Sequence, residues 1–103
     1  MIDFDKTEGF DWNPGNARKN DKHDVKQSEA EQVFFNEPLF TVEDQQHSQT
    51  ETRYQALGKT DVGRLLHVTY TLREHGTKIR VISARAMSVK ERRLYETEVD
   101  SQI

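Results

Sequence analysis

The pattern of hydrophobic and polar positions changes near residue 39, from helical spacing to alternation. The segment 65–73, LLHVTYTLR, alternates most regularly. Its even-numbered apolar residues are Leu66, Val68, Tyr70 and Leu72. Successive side chains of a strand point to opposite faces, so this pattern predicts a strand with one buried and one polar face. Three shorter segments predict further strands: LFTV, RYQALGK and KIRVISA.

The last two predicted strands should form a hairpin whose register follows from parity. Ile79 and Val81 occupy odd positions, whereas the apolar residues of the preceding strand occupy even ones. The two sets share a face only if an even number of residues connects the strands, as a two-residue His75-Gly76 turn would supply. The pairs expected on the polar face are then Arg73 with Lys78, Thr71 with Arg80, and Thr69 with Ile82.

Helices are predicted on both sides of these strands. Asn13-Pro14 is a typical helix start, and the helix should extend to about His23. Ser28 with Glu31, and Ser88 with Glu91, fit the capping box and predict two more helices, the first ending before Pro38. The expected fold is α+β: two N-terminal helices, a small antiparallel sheet of about four strands and a C-terminal helix, with the helices on one face.

Length and composition limit the possible functions. With 103 residues, the chain should form one domain over 10–97, with an N-terminal segment 1–9 that need not be ordered and a tail 98–103. A net charge of -3 argues against a wholly basic nucleic-acid binder, but leaves room for a local basic patch. The absence of cysteine excludes disulfides, a thiol nucleophile and cysteine-ligated metals. No apolar run approaches a membrane span, so we expect a soluble, cytoplasmic protein.

Basic residues concentrate on the polar face of the predicted sheet and on the helix after it. They are Arg73, Lys78 and Arg80 on the strands, Arg85 at a strand end, and Arg92 on the helix beside Tyr95. Guanidinium groups match phosphate oxygens, and RNA is a natural ligand for such a face. An ordinary solvated surface is the alternative, because exposed sheet faces commonly carry Lys, Arg and Thr. Arg80 stands out because it interrupts an apolar strand.

Groups able to transfer protons are fewer. Lys22 and His23 could supply an ammonium and an imidazole, although both could equally serve the end of a helix. His47 lies between Asp44 and Glu51, but no partner cluster has metal-ligand spacing, so we expect neither a metal nor a cofactor. Motifs of nucleotide-binding loops, serine hydrolases and zinc proteases are absent.

The order of several short motifs resembles the BrnT toxins of bacterial type II toxin-antitoxin modules. The matching segments are FDWNPGNARKNDKHDV, EAEQVFFNEPL, DQQHSQTETRYQALG, GRLLHVTYTLR and IRVISARAMSVKERRLYE, which together cover about residues 10–96. The resemblance implies a RelE-like fold and a small ribonuclease that inhibits translation. It also implies a BrnA-type antitoxin as partner, with operator DNA contacted only through that complex.

The same resemblance marks positions for a metal-independent attack of the ribose 2′-hydroxyl on the adjacent phosphate. The catalytic candidates are Arg80, Arg73, His23, Lys22 and Tyr95. The RNA-binding candidates are Arg85, Lys78, Arg53, Arg92, His47 and Glu51. Arg80 and Arg73 are expected to hold the phosphate, while His23, Lys22 or Tyr95 moves the proton. The alternative function is that of an inactive family member that binds and regulates with the antitoxin.

Overall fold

A computed structural model of the chain describes residues 8–12, 24–47 and 51–101, without the side chain of His47. The predicted helix over residues 13–23 lies outside the described residues. The elements in chain order are strand β1 (Gly9–Phe10), helix α1 (Gln27–Val33), strand β2 (Phe40–Asp44), a short 3-10 helix (Gln45–His47), strands β3 (Arg53–Lys59), β4 (Leu65–Arg73) and β5 (Lys78–Ala86), and helix α2 (Val89–Ser101).

The five strands of the described chain form one sheet in the order β1-β5-β4-β3-β2. Strands β2 to β5 pair antiparallel with their neighbours, and β1 adds to β5 in parallel. The α+β class is therefore confirmed. The expected four-stranded, wholly antiparallel sheet is wrong by one strand, because Gly9–Phe10 is too short to show alternation.

The β4–β5 hairpin has the predicted register over its first half. Arg73 pairs with Lys78 and Thr71 with Arg80. The turn is longer than predicted, since four residues, 74–77, connect the strands; Glu74 and His75 both adopt positive φ. Four is also an even number, so the faces agree. Beyond Tyr70 the register shifts, and Thr69 pairs with Ser83 because Ile82 forms a bulge.

The core lies between α1 and one face of the sheet, called the core face. Leu66, Val68 and Tyr70 of β4 are fully buried there, as the alternation predicted. Val33 of α1 packs closely over Gly58 of β3, where an added Cβ would lie 2.7 Å from a Val33 methyl carbon. Glycine at this position therefore allows the helix to approach the sheet.

The first residue of helix α1 is Gln27, so Ser28, the predicted N-cap, lies inside the helix. Lys26 is the N-cap, and its backbone N–H donates to Glu29 rather than to Glu31. Glu31 instead accepts a 2.7 Å hydrogen bond from the indole N–H of Trp12. The predicted Ser28–Glu31 capping box is therefore wrong, because Ser28 is not the N-cap and the Glu31 carboxylate binds Trp12. Trp12 is half-buried against the core, as a structural anchor would be.

Helix α2 packs on the other face of the sheet, called the polar face. Its Tyr95 ring lies 5.4 Å from that of Phe40. Phe40 pairs with Leu57 of β3, which in turn pairs with His67 of β4. The expectation that all helices cover one face is therefore wrong, because this end of the polar face carries apolar residues that need covering. The predicted capping box is confirmed: the Ser88 N–H donates to Glu91, and the Glu91 N–H donates to the Ser88 hydroxyl. No helix of the described chain is long and apolar enough to cross a membrane.

Candidate functional site

The end of the polar face away from α2 collects basic side chains on three strands. Strand pairing places Arg53, Thr71 and Arg80 side by side in one row across β3, β4 and β5. The next pair along the hairpin is Arg73 with Lys78. Side chains directly opposite on paired strands lie about 5 Å apart at Cβ, so five residues share one small surface. We call this set the arginine face: Arg53, Thr71, Arg73, Lys78 and Arg80.

Thr71 shapes the middle of the arginine face. Its hydroxyl donates a 2.7 Å hydrogen bond to the backbone carbonyl of Thr52, and its side chain is buried. Thr71 is thus a short side chain between two arginines, Arg53 and Arg80, in the same row. Such a row suits a phosphate, because the forked donors of arginine match its oxygens.

Carboxylates hold the two central arginines in place. An Nη atom of Arg73 lies 3.1 Å from Glu51, and Arg80 Nε lies 3.5 Å from Asp11. The side chains of Arg73 and Arg80 remain 37% and 24% exposed. Their Nε atoms are buried and make no hydrogen bond to the described residues. An anion from solvent would therefore be bound by the exposed parts of the two guanidinium groups and not by these Nε atoms.

The predicted site residues on α2, and the one on β5 just before it, lie at the opposite end of the polar face. Arg85 forms a two-pronged ion pair with Glu91, with contacts of 2.7 and 2.9 Å, and Arg92 is exposed on the helix. Tyr95 is buried, and its hydroxyl donates to the Pro38 carbonyl at 2.7 Å. Four strand residues, or roughly 13 Å, separate the His67 row beneath α2 from the Thr71 row.

The structure thus brings Arg53, Arg73, Lys78, Arg80 and Glu51 together, and places Arg85, Arg92 and Tyr95 elsewhere. Lys22 and His23 lie outside the described residues. His47 ends the 3-10 helix that follows β2, but its side chain lies outside the description as well. Among the described residues, no cluster of three or more metal-ligating side chains occurs.

Sequence reasoning gave no role to Asp11, and it placed His67 on the polar face of the sheet without a specific role. Asp11 reaches Arg80 because β1 pairs with β5, which two residues of sequence cannot indicate. His67 lies beneath α2 and is only 7% exposed, with Nε2 3.3 Å from the Gln55 side-chain oxygen. Burial, aided by the nearby Arg85 charge, lowers its pKa from the ordinary value, so it is neutral near pH 7. Its odd-numbered position on β4, which predicts a place on the polar face, was the signal that the sequence offered.

The Arg85–Glu91 pair should make stability depend on pH in acid. The hydrogen bond from Arg85 lowers the pKa of Glu91 from 4.5 to about 2. Because the folded chain holds the carboxylate charged, its contribution is complete above pH 4.5 and is lost as the pH falls towards 2. Glu91→Gln should therefore be less stable than the unaltered chain at pH 7, and this difference should shrink towards pH 2 in urea unfolding. Glu96→Gln, on the exposed side of α2, is the control; a pH-independent Glu91→Gln difference would contradict the assignment.

Comparison with known families supplies the assignment. A family model described as the ribonuclease toxin BrnT of type II toxin-antitoxin systems matches residues 12–91. The chain belongs to the BrnT family. Membership of the BrnT family supports a toxin role and implies an antitoxin partner. No curated protein matches the chain.

Proposed function

We propose that the chain is a ribonuclease toxin that cleaves RNA at the arginine face without a metal ion. The observation that carries this proposal is the row Arg53–Thr71–Arg80, with Arg73 and Lys78 beside it. Four cations lie on this small surface against three carboxylates, Asp11, Asp44 and Glu51, and the positive excess in an acidic protein favours a polyanionic ligand. The description of the family as a ribonuclease toxin supports RNA as that ligand.

In the proposed reaction, the ribose 2′-hydroxyl attacks the adjacent phosphorus, and the 5′-oxygen leaves. The products are a 2′,3′-cyclic phosphate and a free 5′-hydroxyl. Arg80 and Arg73 bind the phosphate and stabilise the additional charge of the transition state, while Arg53 and Lys78 bind neighbouring phosphates. Glu51 and Asp11 orient the two central guanidinium groups.

Proton transfer is the part of the mechanism that the arginines cannot perform. We assign it to His23 or Lys22, since an imidazole titrates near neutrality and an ammonium can protonate a leaving oxygen. Tyr95 receives no such role, because its hydroxyl is buried and already donates to Pro38. Arg85 and Arg92 contact RNA only if the substrate extends towards α2.

The proposed biological setting follows from the family. Cleavage of RNA would inhibit translation and growth in the cytoplasm. A BrnA-type antitoxin would neutralise the chain, and the complex would repress its own operon through the antitoxin's contact with DNA. Of these statements, the family assignment already supports the toxin role and the existence of an antitoxin.

A second candidate function is that of an inactive family member acting as the antitoxin's binding and regulatory partner. The observation that favours it is the pairing of Arg73 and Arg80 with carboxylates, since RNA must compete with Glu51 and Asp11 for them. The overall charge of -3 adds to this competition.

RNA cleavage in the presence of EDTA distinguishes the two functions. The chain, purified away from antitoxin, is incubated with total RNA and EDTA, and the new ends are analysed. We expect fragments with cyclic phosphate and 5′-hydroxyl ends, and protection when antitoxin is added. Intact RNA from a folded chain whose expression does not slow growth would instead support the regulatory function.

A further inference from the structure

A groove of about 770 Å³ runs between helix α2 and the β2 edge of the sheet. Its sheet side includes Phe40, Val42 and Leu57, and its helix side includes Leu94 and Tyr95. Val42 is 64% exposed and Leu94 is 56% exposed. Two large apolar side chains therefore face solvent from the two walls of one groove. Contiguous exposed apolar surface of this kind marks interaction sites.

The charge of the groove is opposite to that of the arginine face. The charged residues that line it are Glu91 and Glu98; Glu91 is ion-paired with Arg85, so Glu98 supplies the further negative charge. His67 in its floor is neutral near pH 7, because burial lowers its pKa. A polyanion such as RNA is therefore repelled, and a basic partner is attracted.

The helix wall has a regular spacing that suggests the shape of the occupant. Its residues are Glu91, Leu94, Tyr95 and Glu98, at positions i, i+3, i+4 and i+7 of α2. They form one stripe of two helical turns, about 10 Å long. An apolar stripe of a second helix can lie along such a wall and insert between it and the sheet.

We propose that this groove binds an amphipathic helix of the antitoxin, with apolar residues at i, i+3 or i+4 and i+7 and with lysine or arginine beside them. The antitoxin is the expected occupant because a type II toxin is held by a protein, and because the groove's negative charge disfavours nucleic acid. The inference depends on the family assignment and does not require that the chain cleave RNA.

The apolar part of the proposal is tested with Val42→Arg and Leu94→Arg. Both side chains are exposed, so the variants should fold, and each arginine would place a charge in the groove that repels a basic helix. The probe is the purified small protein encoded by the neighbouring gene, titrated calorimetrically. We expect each variant to bind it about 10-fold more weakly or worse. Val62→Arg, at a side chain 90% exposed in the turn after β3, is the matched control and should bind normally.

The charge part is tested with a matched pair on α2. Glu98→Lys reverses a charge in the groove, whereas Glu96→Lys makes the same change at an exposed position outside its lining. We expect Glu98→Lys to weaken antitoxin binding several-fold, by an amount that decreases at high salt. Glu96→Lys should have little effect.

Several outcomes would overturn the proposal. The protein encoded by the neighbouring gene could fail to bind the unaltered chain, or it could bind all variants with equal affinity. Sedimentation would reveal a second copy as the occupant if Val42→Arg and Leu94→Arg convert a dimer to monomers. RNA would be the occupant if these variants lose RNA binding while keeping the antitoxin. Failure of RNA cleavage alone leaves the groove proposal standing, since binding is measured separately.

Discussion

Replacement of Arg80 by alanine should reduce RNA cleavage by about 10²–10³-fold, the usual cost of removing one transition-state donor. Arg80 stands beside Thr71 in the arginine face, and its side chain is partly exposed there and paired in charge with Asp11. The loss should appear in the rate of a single turnover with saturating protein. Growth inhibition on expression should disappear in parallel.

The variant should remain folded, because the Arg80 side chain is on the partly exposed polar face and its ion pair with Asp11 is 3.5 Å long. Arg93→Ala, at an exposed position on α2, removes the same side chain away from the site and should cleave normally. Arg80→Lys keeps the charge and loses the fork, so we expect an intermediate rate. Full cleavage by a folded Arg80→Ala chain would remove Arg80 from the mechanism.

Replacement of Tyr70 by alanine should lower the free energy of unfolding by about 3–5 kcal/mol. Tyr70 is fully buried on the core face, with its ring stacked 5.3 Å from that of Tyr54 and edge-on to Phe34 at 5.0 Å. Removing the ring leaves a cavity in the centre of β4, directly behind Thr71. Domains of this size are stable by only about 5–15 kcal/mol, so a large part of the stability would be lost.

Urea unfolding followed by circular dichroism measures the effect of Tyr70→Ala. Val62→Ala, at an exposed apolar side chain, is the control and should change the free energy of unfolding by less than about 0.5 kcal/mol. A loss below about 1 kcal/mol in Tyr70→Ala would show that the core face does not depend on this ring. RNA cleavage by the folded fraction should be partly retained, because Tyr70 points away from the arginine face.

Alternation determined most of what the sequence could predict. Of the even-numbered residues of β4, Leu66, Val68 and Tyr70 are fully buried and Leu72 is partly buried, and parity alone placed Arg73 opposite Lys78 and Thr71 opposite Arg80. Parity held although the turn was wrong, because the faces depend only on whether the connection is even. It failed after Tyr70, since a single bulged residue, Ile82, shifts the pairing and no local pattern marks it.

Long-range contacts were beyond the reach of pattern reasoning. The side of the sheet covered by α2 depends on Phe40 and Leu57, which become neighbours only when β2 pairs with β3. The same pairing brings Tyr95 to Pro38 and away from the arginine face, although the motif had suggested a chemical role. Arg85 likewise donates to Glu91, because it lies near the end of β5 and Glu91 belongs to the capping box that follows this strand. Basic residues close in sequence thus divide between the arginine face and the region of α2, where Arg85 pairs with Glu91.

The two ends of the polar face have opposite chemistry. One presents paired arginines, and the other presents an apolar groove lined by glutamates, roughly 13 Å away along β4. In the two proposals, RNA binds at the first end and a basic antitoxin helix binds at the second. The two proposals therefore predict that substitutions on a single face alter catalysis and neutralisation independently.

The central claim is that the arginine face cleaves RNA by attack of the substrate's own 2′-hydroxyl. The most direct measurement compares an RNA oligonucleotide that the chain cleaves with the same oligonucleotide carrying one 2′-deoxyribose at the cleaved position, both in EDTA. The proposed mechanism predicts that the modified strand stays intact and competes for binding as well as the RNA does. Cleavage of both strands at the same rate would contradict it.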